Sequence, residues 1–174
     1  KGGFGRVAEF HYLHHGPGGA RYADRAATSR AILAAGRAVG IGLTHLPVFY
    51  AHGNFGGAAP GEGQQPFLHG VDDFLALLDA LGPATAEAGA RLGSAIHSLR
   101  AATPDEMREI LAARPDGPVH IHVAEQEREV ADCIAWSGRR PVEWLLDEMP
   151  VDARWCAIHA THMTEAETAG LASS

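Results

Sequence analysis

Cysteine is scarce in this 174-residue chain: Cys133 and Cys156 are the only two, each in an apolar setting, so no disulfide framework or cysteine-rich metal site is expected to hold the fold together. Basic residues are also few. The 14 Lys and Arg stand against 21 Asp and Glu, a net charge of -7, which argues against general affinity for phosphate backbones or anionic lipid. Nucleic acid is therefore not an expected partner. The sequence contains no signal-peptide pattern and no run of about 18 apolar residues that could span a bilayer, so no membrane partner and a cytoplasmic location are expected. Neither GxGxxG nor GxxxxGK[ST] follows any apolar strand, which removes the common nucleotide-binding turns. No internal repeat or low-complexity tract stands out. What the chain does have is 46% hydrophobic residues, enough for a sizeable core, and 11 histidines. At roughly 100–200 residues per domain, 1–174 reads as one domain or part of one, with no internal boundary. Neutral imidazole is the commonest metal ligand and the usual acid/base group near neutral pH, so histidine is where chemistry is expected.

Short apolar strands alternate with longer helical patterns, the sequence form of a parallel α/β fold. Strands are expected at Arg6 to His11, Ile41 to Phe49, Arg91 to His97, Pro118 to Ala124 and Arg154 to Ala160. Helices are expected at Asp24 to Val39, Val71 to Ala90, Thr103 to Arg114, Glu125 to Leu146 with a break at Gly138 to Pro141, and from Thr164 onward. ThrProAspGlu at 103–106 and the run Thr164 to Glu167 carry helix-start signatures. The Gly- and Pro-rich segment Tyr50 to Gly70 is too long for a plain connector and is expected over the active site.

Nearly every strand ends in histidine or another polar residue: His11 and Tyr12, Tyr50 and His52, His97, His122 with Glu125, and His159 with His162. In a (β/α)8 barrel the C-terminal strand ends form the catalytic face, and this pattern favours a barrel over an open doubly wound sheet. The densest signal is Val119-His120-Ile121-His122-Val123-Ala124-Glu125. Alternation puts His120 and His122 on one face, ~7 Å apart along the strand, with His122 nearer the mouth and Glu125 just beyond it. Imidazole on a metal with a carboxylate beside the bound water is an arrangement for hydrolysis. A core polar pair followed by a first-turn acid is the plainer reading of HxHxxE taken alone; His159 at the end of the next strand favours the catalytic one. Arg100, in His97-Ser98-Leu99-Arg100, puts a guanidinium beside the same place and suggests a substrate bearing a carboxylate, against the plain alternative of a surface arginine.

The strings AEFHYLHH, GIGLTHLPVFYAHGNFGG, HSLRA, GPVHIHVAEQ, SGRRPVEWLL and VDARWCAIHATH together resemble the formimidoylglutamate deiminases of the amidohydrolase superfamily. The resemblance covers almost the whole chain and implies a (β/α)8 TIM barrel of amidohydrolase type, with about strands two to six present here. It implies hydrolytic deimination of N-formimino-L-glutamate to N-formyl-L-glutamate and ammonia in histidine breakdown. It also implies roles: His122 as metal ligand, Glu125 as proton shuttle, His159 as the group that orients or polarises water or substrate, and Tyr12, His97 and Arg100 as substrate contacts, with Arg100 on a carboxylate. Zn²⁺ is the implied cofactor, one ion per site, with Fe²⁺ the alternative because imidazole and carboxylate sites accept both. The alternatives carried are a superfamily deaminase acting on a purine or pyrimidine base, and a non-catalytic protein holding metal structurally. The first-strand HisXaaHis pair and eighth-strand Asp that such enzymes use are not in this sequence, so the chain reads as an internal fragment, not active alone. A homodimer is compatible with the pattern.

Overall fold

The computed structural model describes residues 2–174. Six strands form one parallel sheet: β1 (Arg6–His11), β2 (Gly42–Phe49), β3 (Arg91–Leu92), β4 (Ser94–Ser98), β5 (Val119–Val123) and β6 (Trp155–His159). Its order is β1-β2-β4-β5-β6, with β3 paired to β2, so each strand lies beside the next major one in sequence. The helices between them are α1 (Ala27–Val39), α2 (Val71–Glu87), α3 (Pro104–Ala113), α4 (Glu127–Ser137), α5 (Pro141–Glu148) and α6 (Glu165–Ser173). Consecutive parallel strands with intervening helices and no reversal of order are the build of a (β/α) barrel, here as an open arc.

Side-chain alternation divides the sheet into two faces. Phe49, Ile96, Val119, Ile121 and Val123 point outward and pack with Phe74, Leu78, Met107, Ile110, Leu145 and Trp144 from the helices. Leu46, Val48 and Ala95 point the other way, into the barrel, with Phe10 against them. That inner face is where the polar strand ends emerge.

Helix starts follow their local chemistry. The Thr103 hydroxyl accepts from Glu106 N at 3.4 Å while the Glu106 carboxylate takes Thr103 N at 2.7 Å, and Pro104 follows at the first helical position. Thr164 and Glu167 repeat the exchange at α6. The expected break after Ser137 is real, with Gly138 left-handed at φ 76°. α2 ends at Glu87 and α4 starts at Glu127, short of the expected Ala90 and Glu125, and two further expectations are corrected by a local cause. The helix expected from Asp24 starts at Ala27, because Asp24 stays outside and its carboxylate accepts Ala26 N at 2.9 Å. The single strand expected from Arg91 to His97 is two, broken at Gly93. A Cβ there would sit 2.5 Å from the Pro118 carbonyl oxygen and 2.7 Å from Leu46, so the chains approach more closely than any side chain allows.

Candidate active site

At the C-terminal ends of β4, β5 and β6 the inner face gathers His97, His122 and His159. The His122 ring lies 5.3 Å from that of His97 and 5.3 Å from that of His159, nearly parallel to the latter at 25°. His122 Nδ1 lies 3.0 Å from the His97 carbonyl oxygen; a carbonyl only accepts, so Nδ1 carries the proton. The tautomer is fixed, and Nε2 is left as a lone pair without a hydrogen. Burial pushes the proton affinity of His122 down, and that of His97 further, to about 3, with His122 and Arg100 adding to the effect. Both are neutral at neutral pH, the state a metal ligand or hydrogen-bonding partner of a substrate requires.

His159 arrives by an unexpected route. Strict alternation would send it to the helix side with Trp155 and Ala157. The chain instead enters the left-handed region at His159 (φ 69°) and Ala160 (φ 47°), and the ring comes back over His122. Ala124, at the end of β5, is left-handed too, at φ 52°. These are the three non-glycine residues with positive φ among the described residues, and all flank the cluster.

Glu125 follows directly. Its Oε1 lies 3.6 Å from His159 Nε2 and its Oε2 3.9 Å from Arg100 Nη2. The Arg100 Nε is buried without a hydrogen-bond partner, so the guanidinium sits beside the carboxylate with donors to spare. Sequence reasoning missed Glu129, whose side chain fixes this corner. Only 2% exposed, its carboxylate accepts Ala124 N at 3.1 Å and Glu125 N at 2.9 Å. In sequence it looks like one more solvated acid in Glu127-Arg128-Glu129.

Tyr12 closes the opposite side, its ring 5.7 Å from His97 and 5.0 Å from Phe67. Tyr50 packs 4.6 Å from His97. The long segment after β2 therefore reaches the mouth with Tyr50 and Phe67, while its middle leans away, Phe55 stacking on Trp136 at 5.3 Å. All six expected site residues, Tyr12, His97, Arg100, His122, Glu125 and His159, converge on the mouth. Two other strand-end histidines do not. His11 turns outward to Thr28 at 3.0 Å and His52 joins Glu106 at 2.9 Å; of His162, the backbone carbonyl accepts from Arg140 at 2.5 Å. His120 lies one step deeper on the same face as His122 and is half-buried.

The donor set can be tested against a metal. His122 Nε2 is oriented for one, but among the described residues no three His, Cys, Asp or Glu side chains converge so as to hold an ion. This chain thus offers one imidazole toward a divalent ion and not a complete ligand set.

The parallel (β/α) arc is shared with solved amidohydrolase and deaminase structures. Among the proteins the chain is similar to is a formimidoylglutamate deiminase: the chain is 52% identical over 175 residues to that protein of Pseudomonas aeruginosa, covering 100% of this chain and 39% of the relative. It is 55% identical to a crystal structure of an amidohydrolase from Brucella melitensis, with a TM-score of 0.96 over 98% of this chain and 38% of that one. An adenosine deaminase from Xanthomonas campestris, solved with bound zinc, has the same fold at 22% identity and a TM-score of 0.65 over 90% of this chain and 34% of that one. No family profile matches. The chain spans about two fifths of the length of the relatives it matches along its whole extent.

Proposed function

We propose that the protein carrying this chain hydrolyses N-formimino-L-glutamate to N-formyl-L-glutamate and ammonia, a step in histidine breakdown. The observation that carries this reading is the convergence of Arg100 and Tyr12, suited to an anionic substrate, on the His122, Glu125 and His159 corner, suited to hydrolysis. Arg100 would take a glutamate carboxylate in its bidentate fork, leaving Glu125 for proton transfer. Tyr12 and the neutral His97 would hold the substrate beside Arg100. Glu125, within reach of His159, would accept a proton from the attacking water and deliver it to the departing nitrogen, so that amidine and water become formamide and ammonia. His159 would hold the water or the substrate nitrogen in line. His122 would give its Nε2 lone pair to a divalent ion, zinc or ferrous iron, completed by donors beyond the described residues; such an ion, when bound, brings the pKa of a water toward ~7. The 52% identity to a formimidoylglutamate deiminase supports this substrate over a neutral base. No helix among the described residues is long and apolar enough to cross a membrane. A cytoplasmic setting, a small carboxylate substrate, no nucleic-acid partner and a homodimeric assembly complete the proposal.

The test is Arg100→Met in the full-length protein. Loss of a charge-assisted bidentate contact in a desolvated site costs ~2–5 kcal/mol, about 30-fold to several thousand-fold in kcat/KM. A formimino substrate without the carboxylates should lose far less. Equal losses on both substrates would remove the carboxylate argument.

A further inference from the structure

Between the segment that follows β1 and the start of α2, a cavity of about 220 Å³ is lined by His15, Arg21, Tyr22, Arg25, His69 and Asp73. It shares no residue with the cluster at the strand ends. Three independent features make it cationic and short of partners. First, the N-cap of α2 is Gly70, which has no side chain to cap the helix, so the start of a 17-residue helix lies beside the cavity with no side-chain cap, although Asp72 and Asp73 sit in its first turn. Second, His69 is only 8% exposed, yet neither ring nitrogen has a hydrogen-bond partner. A neutral imidazole must carry one N–H, and a buried N–H without an acceptor costs ~1–3 kcal/mol. Third, Arg21 is tied to Asp73, which neutralises that pair, while Arg25 has no carboxylate within ion-pair distance among the described residues. With the imidazoles neutral, the lining carries one net positive charge.

We propose that this pocket binds a small oxyanion, a carboxylate or phosphate group, on Arg25, the His69 N–H and the uncapped start of α2. Arg25 and His69 each lack what an oxyanion supplies: the guanidinium takes it in a fork and the buried imidazole gains its missing acceptor, while the uncapped helix start offers backbone N–H groups beside them. At about 220 Å³ the cavity has room for inorganic phosphate or a short carboxylic acid. Asp73 sets the limit on charge, since it faces the same space and disfavours a polyanion. Burial, with His15, Arg21 and Arg25 adding to it and Asp73 opposing, holds His69 neutral down to about pH 4. A bound anion raises that value, which makes His69 a reporter of occupancy. His69 also touches His14 at 4.5 Å and His15 at 4.9 Å, the residues that follow Tyr12, so occupancy bears on the segment that carries Tyr12.

The experiment is calorimetric titration of the full-length metal-loaded protein with inorganic phosphate and, separately, with acetate, in a buffer of weakly binding ions. Saturable one-to-one binding of at least one probe is expected, at least tenfold weaker in Arg25→Gln and His69→Phe and unchanged in Arg100→Met. Which probe binds more tightly separates a phosphoryl from a carboxylate ligand. Imidazole resonances of His69 should titrate at higher pH in the presence of the tighter probe. Binding abolished by Arg100→Met but retained in Arg25→Gln would assign it to the substrate site and overturn the proposal; so would the absence of saturable binding. Arg25 is exposed, so its variant keeps the test decisive if His69→Phe does not fold. The result is independent of which substrate the mouth accepts.

Discussion

Replacing Glu129 by Gln should damage both stability and turnover, although the residue faces no substrate. Its two oxygens accept the amides of Ala124 and Glu125 at 3.1 and 2.9 Å, in a site closed to solvent. Gln keeps one acceptor and turns an NH2 group toward the other amide. One hydrogen bond to a charged group, worth ~1.5–3 kcal/mol net, is lost, and a buried N–H is left without an acceptor at ~1–3 kcal/mol. Ala124, held at φ 52°, adds strain of ~1–2 kcal/mol that the carboxylate helps to contain. The expected loss is ~3–5 kcal/mol, read as a lower urea midpoint at unchanged slope in the full-length protein. Turnover should fall with it: a misplacement of ~1 Å at Glu125 suffices for ~10²-fold in kcat, while KM moves little because Arg100 and Tyr12 are untouched. Stability within ~1 kcal/mol of wild type together with unchanged kcat would refute the view that Glu129 positions the catalytic corner.

Glu125→Gln should lower kcat by ~10²–10⁴-fold or more with bound metal near stoichiometric, whereas His122→Ala should lose metal along with activity; metal analysis beside steady-state kinetics separates the two roles. Acid should weaken the fold between pH 6.5 and about 4, because burial holds His45 and His69 to about 4 while the unfolded chain takes up protons from about 6.5 downward. Each such histidine contributes a slope of ~1.4 kcal/mol per pH unit in that window, stability being full above it and lost as pH falls. The groups facing them are His11 against His45, and His14, His15, Asp73, Arg21 and Arg25 against His69. His45→Leu, which removes a fully buried imidazole with both nitrogens unpartnered, should flatten the pH dependence by one proton in urea titrations across that window without destabilising the fold at pH 7.

The parallel strands were legible because a buried strand writes itself as a short apolar run, and β1 falls on Arg6–His11 as the pattern predicts. The capping signatures at Thr103 and Thr164 were legible because they are contained within four residues. The break at Gly93 was not, since its cause is the approach of Pro118 and Leu46, distant in sequence. For the same reason a histidine at a strand end does not announce its face. His97 and His122 follow alternation into the barrel, whereas His11 follows it outward to Thr28. Glu129 and the pocket before α2 were invisible for a related reason: an acid in a charged helix start, or a histidine in a glycine-rich loop, reads as solvated until the fold buries it.

His159 shows why the site needs more than pattern. Its reach to His122 depends on backbone that an L-residue adopts only at a cost of ~1–3 kcal/mol, and Ala160 and Ala124 share that cost. The structure offsets it by binding the two strand exits to each other: Ala160 N donates to Val123 O at 3.0 Å, while Thr161 N and His162 N converge on Ala124 O at 3.1 and 2.9 Å. Glu129 then takes the amides of Ala124 and Glu125 from beneath. His122, Glu125 and His159 are thus carried by one cross-linked corner, not by three separate loops. A proton transferred between Glu125 and a group held by His159 requires separations fixed within a few tenths of an ångström, and such a corner supplies them before substrate arrives. The strained residues are the reason two strand ends can bring three side chains into one corner.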